Sequence, residues 1–169
     1  PYGDTPTGWR VQLSADGRSW SNGVDTSERR LALPVALGDT VFVRVSALNE
    51  GGISFPSEVL GGRRSPDGTA PALVIPAFDR LETSLLPWAD VGGAVGEVRR
   101  GDLRHINPFT GVIAHGQAIS DAGWYWESTS DEALPALTPG AWPLVLWAAG
   151  EDSTRDESFS DSQQEWVRE

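Results

Sequence analysis

The chain has 169 residues, 39% of them hydrophobic, enough to pack one ordinary domain or two small ones. Its 24 acids outnumber its 13 bases, and the net charge of -11 repels nucleic-acid phosphates and anionic membranes, which argues against either as a partner. Cysteine is absent, so disulfides, thiolate metal sites and a cysteine nucleophile are excluded within these residues, and no apolar run reaches the roughly 18–20 residues of a membrane span.

Every base is arginine. Residues 1–65 hold seven acids and seven arginines, whereas residues 66–169 hold seventeen acids and six arginines. Two regions of different chemistry are the natural reading. The opening PYGDTPTGW is not a signal peptide, so any export address would lie elsewhere.

Trp9 to Leu13 alternates as a strand, with Trp9, Val11 and Leu13 on one face. Asp16-Gly17 marks a tight turn, Ser19-Trp20 resumes a short extended piece, and Ser21, Asn22 and Gly23 break it. Leu31, Leu33 and Val35 alternate next, with Pro34 confining that segment to an edge. Thr40 to Leu48 is the strongest strand of this half, with Val41, Val43, Val45 and Ala47 facing one way. Short strands separated by turns, with no helical period, predict an antiparallel sandwich.

The stretch GDTVFVRVSALNEGGISFPSEVL, Gly38 to Leu60, resembles the end of a fibronectin type III module: Arg44, Val45, Ala47 and Asn49 fill its RV-x-A-x-N strand, Gly51 and Gly52 its turn, and Ser54, Pro56, Ser57 and Glu58 its edge strand. VQLSADGRSW resembles an earlier strand and turn of the same module, and the likeness covers about the first 62 residues. Val41 stands where the family has a tyrosine, so that side-chain bond to the backbone is lost. Such sandwiches need about 100 residues, which leads us to expect a module truncated at its start. The resemblance implies a spacing or presenting role without chemistry.

Gly61 to Thr69 is polar and rich in Gly and Pro, and composition changes on either side. The expected division is therefore residues 1–64 as an immunoglobulin-like β-sandwich, 65–70 as linker and 71–169 as an α/β domain. Ala72 to Ala77 reads as a short apolar strand. Leu81 to Pro108 contains Gly92, Gly93, Gly96 and Gly101 with little periodicity and reads as a long loop. From Phe109 the pattern turns helical, with Gly123 as the capping glycine. Trp124 to Glu127 reads as a strand, and Ser130 opens a capped helical turn. Trp142 to Thr154 contains a near-continuous apolar run, Pro143 to Ala149, of the kind found in strands covered on both faces. Ser160 and Gln163 have the spacing of a capping box for a last helix. Strand and helix alternate three times, which predicts a parallel, doubly wound, flavodoxin-like sheet. Its last helix ends with the chain, so this domain too is expected to be incomplete.

The pieces AFDR (77–80), Arg104-x-x-Asn107, AHGQAISDAGWYWES (114–128) and the segment from Gly150 to Val167 resemble an α/β domain of golvesin-like or xanthan-lyase-like secreted bacterial proteins. In those proteins it follows a fibronectin type III module and is often labelled an N-acetylmuramoyl-L-alanine amidase; the domain is distantly similar to class I glutamine amidotransferases. The resemblance implies a secreted or cell-surface protein whose partners are other domains of its own chain and glycan or peptidoglycan.

Ligands bind at the carboxyl ends of parallel strands. Asp79 and Arg80 follow the first strand of this half, and Glu151, Asp152, Ser153 and Thr154 follow the third, so both loops are expected at one edge. Carboxylates there would offer oxygen ligands to a divalent cation or act as general acid and base. The plainer alternative is that Arg80 pairs with an acid and ties two loops together. His115 is either a helix-face histidine or a base. Arg104 and Asn107, in the long loop, and Ser153 complete the candidate ligand contacts. Ser153 lacks a G-x-S-x-G elbow and reads equally as a loop-bonding hydroxyl. Neither histidine has zinc-motif spacing and the glycines make no dinucleotide fingerprint, so no metal or cofactor is expected. The leading expectation is an accessory module without catalysis; the alternatives are a hydrolase or amidase-type cleft at the strand ends, and a carbohydrate-binding surface of exposed tryptophans.

Overall fold

The computed structural model describes residues 5–77, 86–101, 108–150 and 158–169. Eight strands form one mixed sheet: seven follow the order β10-β6-β9-β5-β3-β1-β2, and β4 pairs with β3. The chain makes β1 (Gly8–Ser14), β2 (Val24–Thr26), β3 (Thr40–Asn49), β4 (Gly52–Ile53), β5 (Leu60–Arg63) and β6 (Ala72–Pro76) before any helix among the described residues. After a separate hairpin, β7 (Trp88–Asp90) with β8 (Glu97–Arg99), come helix α1 (Gly111–Asp121), β9 (Trp126–Ser128), a 3-10 helix (Asp131–Ala136), β10 (Val145–Ala148) and helix α2 (Asp161–Arg168).

The alternation of β1 and β3 is realised in an antiparallel pair whose register sets Val11 opposite Val45 and Leu13 opposite Val43. The Asp16-Gly17 turn is held by one carboxylate, which accepts from the N–H of Ser19 at 2.7 Å, the N–H of Arg18 at 2.8 Å and the Ser14 hydroxyl at 2.9 Å. Those bonds, the Ser19 N–H first, hold Asp16 well below the usual carboxylate range. Gly17 has φ 69 and lies where any Cβ would meet the side chain of Ile113, so the turn packs directly on α1. Along the other edge of β3, Pro56 lacks a donor and the ladder is irregular. The N–H of Ser57 reaches Val45 O at 2.7 Å, while the Ser54 and Ser57 hydroxyls accept from Ala47 and Val45.

Of the incomplete sandwich expected here, the described residues show one sheet, which holds β1 to β5. The Leu31–Val35 segment pairs with no strand. Pro34 interrupts its donors, and its fastening to the sheet is instead a bond from the Arg64 guanidinium to Val35 O at 3.0 Å. The segment lies over β3 as a strap, Leu33 and Val35 lining a cavity with Val41 and Val43.

β6 pairs in parallel with β9 on one side and β10 on the other. It is buried along its whole length, with Ala72 and Val74 in a cluster under α1 and Leu73 and Ile75 in a second cluster under Leu134 and Trp166. The long apolar run is covered on both faces, with Leu146 against the first cluster and Trp147 against the second, but among the described residues it is the outermost strand of the sheet and is at most half-buried. The chain leaves β6 for β9 on one side and then crosses to the other, which makes the short ALVIP segment the middle one of the three parallel strands. Burial of each Val, Leu or Ile there contributes about 1.5–3 kcal/mol.

The sheet continues across the 65–70 connector. β5 and β9 pair antiparallel through Gly62↔Glu127 and Arg63↔Trp126. Gly61 and Gly62 are needed at this seam, since a Cβ on Gly61 would lie 2.6 Å from Val41 O, and one on Gly62 3.0 Å from Trp126 O. Trp126 fills the centre, fully buried, with its ring 5.8 Å from that of Phe42 and its Nε1 donating to Ser120 Oγ at 2.9 Å. Gly116 brings α1 flush against it, because a Cβ there would collide with the indole.

Candidate functional site

The carboxyl ends of β6, β9 and β10 emerge together, since Pro76 pairs with Ala148 and Val74 with Ser128. Counted along the chain, the parallel strands stand in the order second, first, third. A crevice opens at the switch between the first and third when connections leave a sheet on opposite faces. The two strands leading into the predicted site loops are therefore neighbours, as expected. Asp79, Arg80, Arg104, Asn107, Glu151, Asp152 and Ser153 themselves lie outside the described residues. His115 is half-buried in the middle of α1, which lies against β5, β6 and β9, so it belongs to the helix layer.

What the described part of this edge contains is an acid pair that sequence reasoning treated only as the first turn of a helix. Asp131 and Glu132 follow β9 directly. The Gln163 side chain, itself buried, accepts from Ser160 N–H at 2.7 Å and donates to Asp131 Oδ2 at 2.9 Å and to Asp131 O at 3.4 Å. The capping box predicted from Ser160 and Gln163 is present, and the same glutamine ties α2 to the strand end. Trp166 completes the attachment by donating from Nε1 to Leu137 O at 3.0 Å.

The two acids are driven apart in acidity. Burial, and then the charge of Glu132, push the Asp131 carboxyl up, while the Ser130 hydroxyl bond holds Glu132 down. A carboxyl pushed up beside one held down sets a candidate acid next to a candidate base. The predicted cap at Ser130 is not formed; its hydroxyl serves Glu132 instead. Among the described residues no group of three or more His, Asp or Glu is arranged to hold a metal ion.

The aromatic candidates divide clearly. Trp20 lies under Arg44, whose guanidinium carbon is 4.3 Å from the ring centroid, and packs on the α1-side core; Trp9 is half-buried. The exposed tryptophans are Trp88, 62% accessible with Arg99 at 5.0 Å over its ring, and Trp124. The β7–β8 hairpin that presents Trp88 falls inside the segment predicted as loop, where Gly92, Gly93 and Gly96 at φ 67, 63 and 66 make its turn.

The described residues define a sheet-rich protein, with one large mixed sheet, a separate hairpin and few helices. Comparison with protein-family models, curated proteins and solved structures finds no match to this chain. Among the described residues no helix is long and apolar enough to cross a membrane.

Proposed function

We propose that the chain is an accessory or spacer piece of a secreted, cell-envelope or polysaccharide-associated modular bacterial protein, without catalysis of its own. In this reading a fibronectin type III-like unit is joined to a flavodoxin-like α/β unit, and the piece fixes the angle between them. The observation that supports it is the β5–β9 pairing, which carries one sheet across a connector whose composition would otherwise read as a flexible linker. The secreted setting and the glycan or peptidoglycan partner rest on the family resemblance of the sequence.

The test has two arms. Residual dipolar couplings from β1–β3 and from β6–β9 should fit a single alignment tensor, and the chain should release no product from peptidoglycan or xanthan. Separate tensors would refute the rigid joint. Turnover abolished by Glu151→Ala would refute the non-catalytic reading.

A second reading, a hydrolase or amidase-type cleft, is favoured by the switch between β6 and β10 and by the split acidities of Asp131 and Glu132. Turnover that falls at least tenfold in Asp131→Asn would select it.

A further inference from the structure

Residues directly opposite one another share a face of a sheet. The register Val41↔Gly62, Gly62↔Glu127 and Glu127↔Leu73 thus defines one face running from the antiparallel strands to β6. Over β6 that face is covered by Leu134 and Trp166, and over β3 by the strap with Leu33 and Val35. Between the two covers it is open. A cavity of about 510 Å³ occupies the gap, with Val41, Val43, Leu33 and Val35 as its apolar walls and the side-chain-free Gly61-Gly62 as its floor. This volume lies within the roughly 300–1,000 Å³ of small-molecule sites, which favour seams of this kind.

The polar side chains at the cavity are Arg63, Arg64, Ser65 and Glu127, and the Arg63 guanidinium is engaged by Gly38 O and Ser120 O, each at 3.2 Å. Arg64 lies two residues beyond Gly62 on the same face of the chain. One of its amino groups holds Val35 O, and it has no carboxylate partner among the described residues. Glu127, the acid at the other wall, is engaged by Trp142 Nε1 at 2.6 Å. A neighbouring cavity of about 430 Å³ on the far side of the strap shares Leu33 and Val43, but Glu28 and Arg29 both line it. The larger of these two cavities sets an apolar body beside the Arg64 guanidinium, in a chain that is otherwise strongly acidic.

The geometry points to a binding site for a small amphipathic acid, an aliphatic or aromatic body with a single carboxylate, seated on Val41, Val43 and Gly62 with its carboxylate on Arg64. The apolar body supplies the affinity. The bidentate reach of a guanidinium supplies the selectivity for the acid over the corresponding alcohol.

The test is an amide NMR titration of the 169-residue chain with decanoate and, in parallel, with 1-decanol. Decanoate is expected to shift the amides of Val41, Val43 and Gly62 and to bind about tenfold more tightly than decanol. Arg64→Gln should remove that tenfold preference while leaving decanol binding within about twofold. Because Arg64 also fastens the strap, Val41→Phe provides an independent arm. It fills the cavity from β3 and should abolish both sets of shifts with the thermal transition retained. Saturation of other amides only, equal affinity for acid and alcohol, an unchanged preference in Arg64→Gln, or undiminished binding in Val41→Phe would each overturn the site.

Discussion

The Ser128 hydroxyl donates to Gly61 O at 2.9 Å and accepts from Gly61 N–H at 2.6 Å, so one side chain of β9 holds both backbone groups of a residue in β5. The backbone pairing between these strands is short, and this serine extends it by one position. Ser128→Ala leaves a donor and an acceptor without partners in a partly buried place, an expected loss of about 2 kcal/mol. For a chain of this size the transition should fall by about 4–8 °C, measured by thermal denaturation.

Gly116→Ala reverses the usual sign of its substitution. Alanine in a helix is ordinarily favoured over glycine by roughly 0.5–1 kcal/mol, but here the added methyl would run into the Trp126 indole. The expected outcome is a net loss of about 1–3 kcal/mol from forced repacking. Trp126→Phe removes the ring atoms concerned, so a double-mutant cycle in urea should show the two losses to be less than additive.

Asp131→Asn should raise stability at neutral pH. The folded state raises the Asp131 pKa, so the protonated carboxyl favours folding. That contribution is complete below the ordinary carboxylate pKa and is lost as pH rises through the folded value. Asparagine keeps an acceptor for Gln163 and removes the charge facing Glu132. After allowance for solvent screening we expect a gain of about 0.5 kcal/mol, or 1–2 °C, at pH 7. The advantage should vanish near pH 3, as a pair of melting series would show.

Ser160→Ala removes the cap of α2 and with it the reciprocal bond that orients Gln163. A loss of about 1 kcal/mol is expected. Hydrogen exchange should locate it: the amides of Gln163 and Gln164 should exchange faster, while those of Val74 and Ile75 in β6 should not change.

Local elements were largely legible from residues alone. The alternation in β1 and β3, the Asp16-Gly17 turn, α1 ahead of Gly123 and the capping box at Ser160 all depend on contacts within a few positions, and each stands where the pattern places it. Pairing between distant segments was not legible in the same way. The apolar run Pro143–Ala149 reports that a strand is covered, and Trp142 and Trp147 are indeed packed against the second cluster. It does not report which neighbours the strand has, and among the three parallel strands an outer place fell to β10 while ALVIP took the middle. The acid pair at Asp131 escaped notice for a similar reason, because its partner Gln163 is thirty-two residues away.

The sequence by itself determined that this chain is acidic, free of cysteine, built of short strands before Arg64, and of alternating strand and helix after Pro71. Charge, periodicity and capping are properties of neighbours along the chain. Only the tertiary structure decided that the two halves share a sheet. That outcome turns on Gly61 and Gly62, where the lack of side chains lets β9 approach, and on Trp126, whose ring fills the space between strands and helix. Close packing of backbone and indole across the seam is a relationship among residues far apart in sequence, and it has no local pattern to announce it.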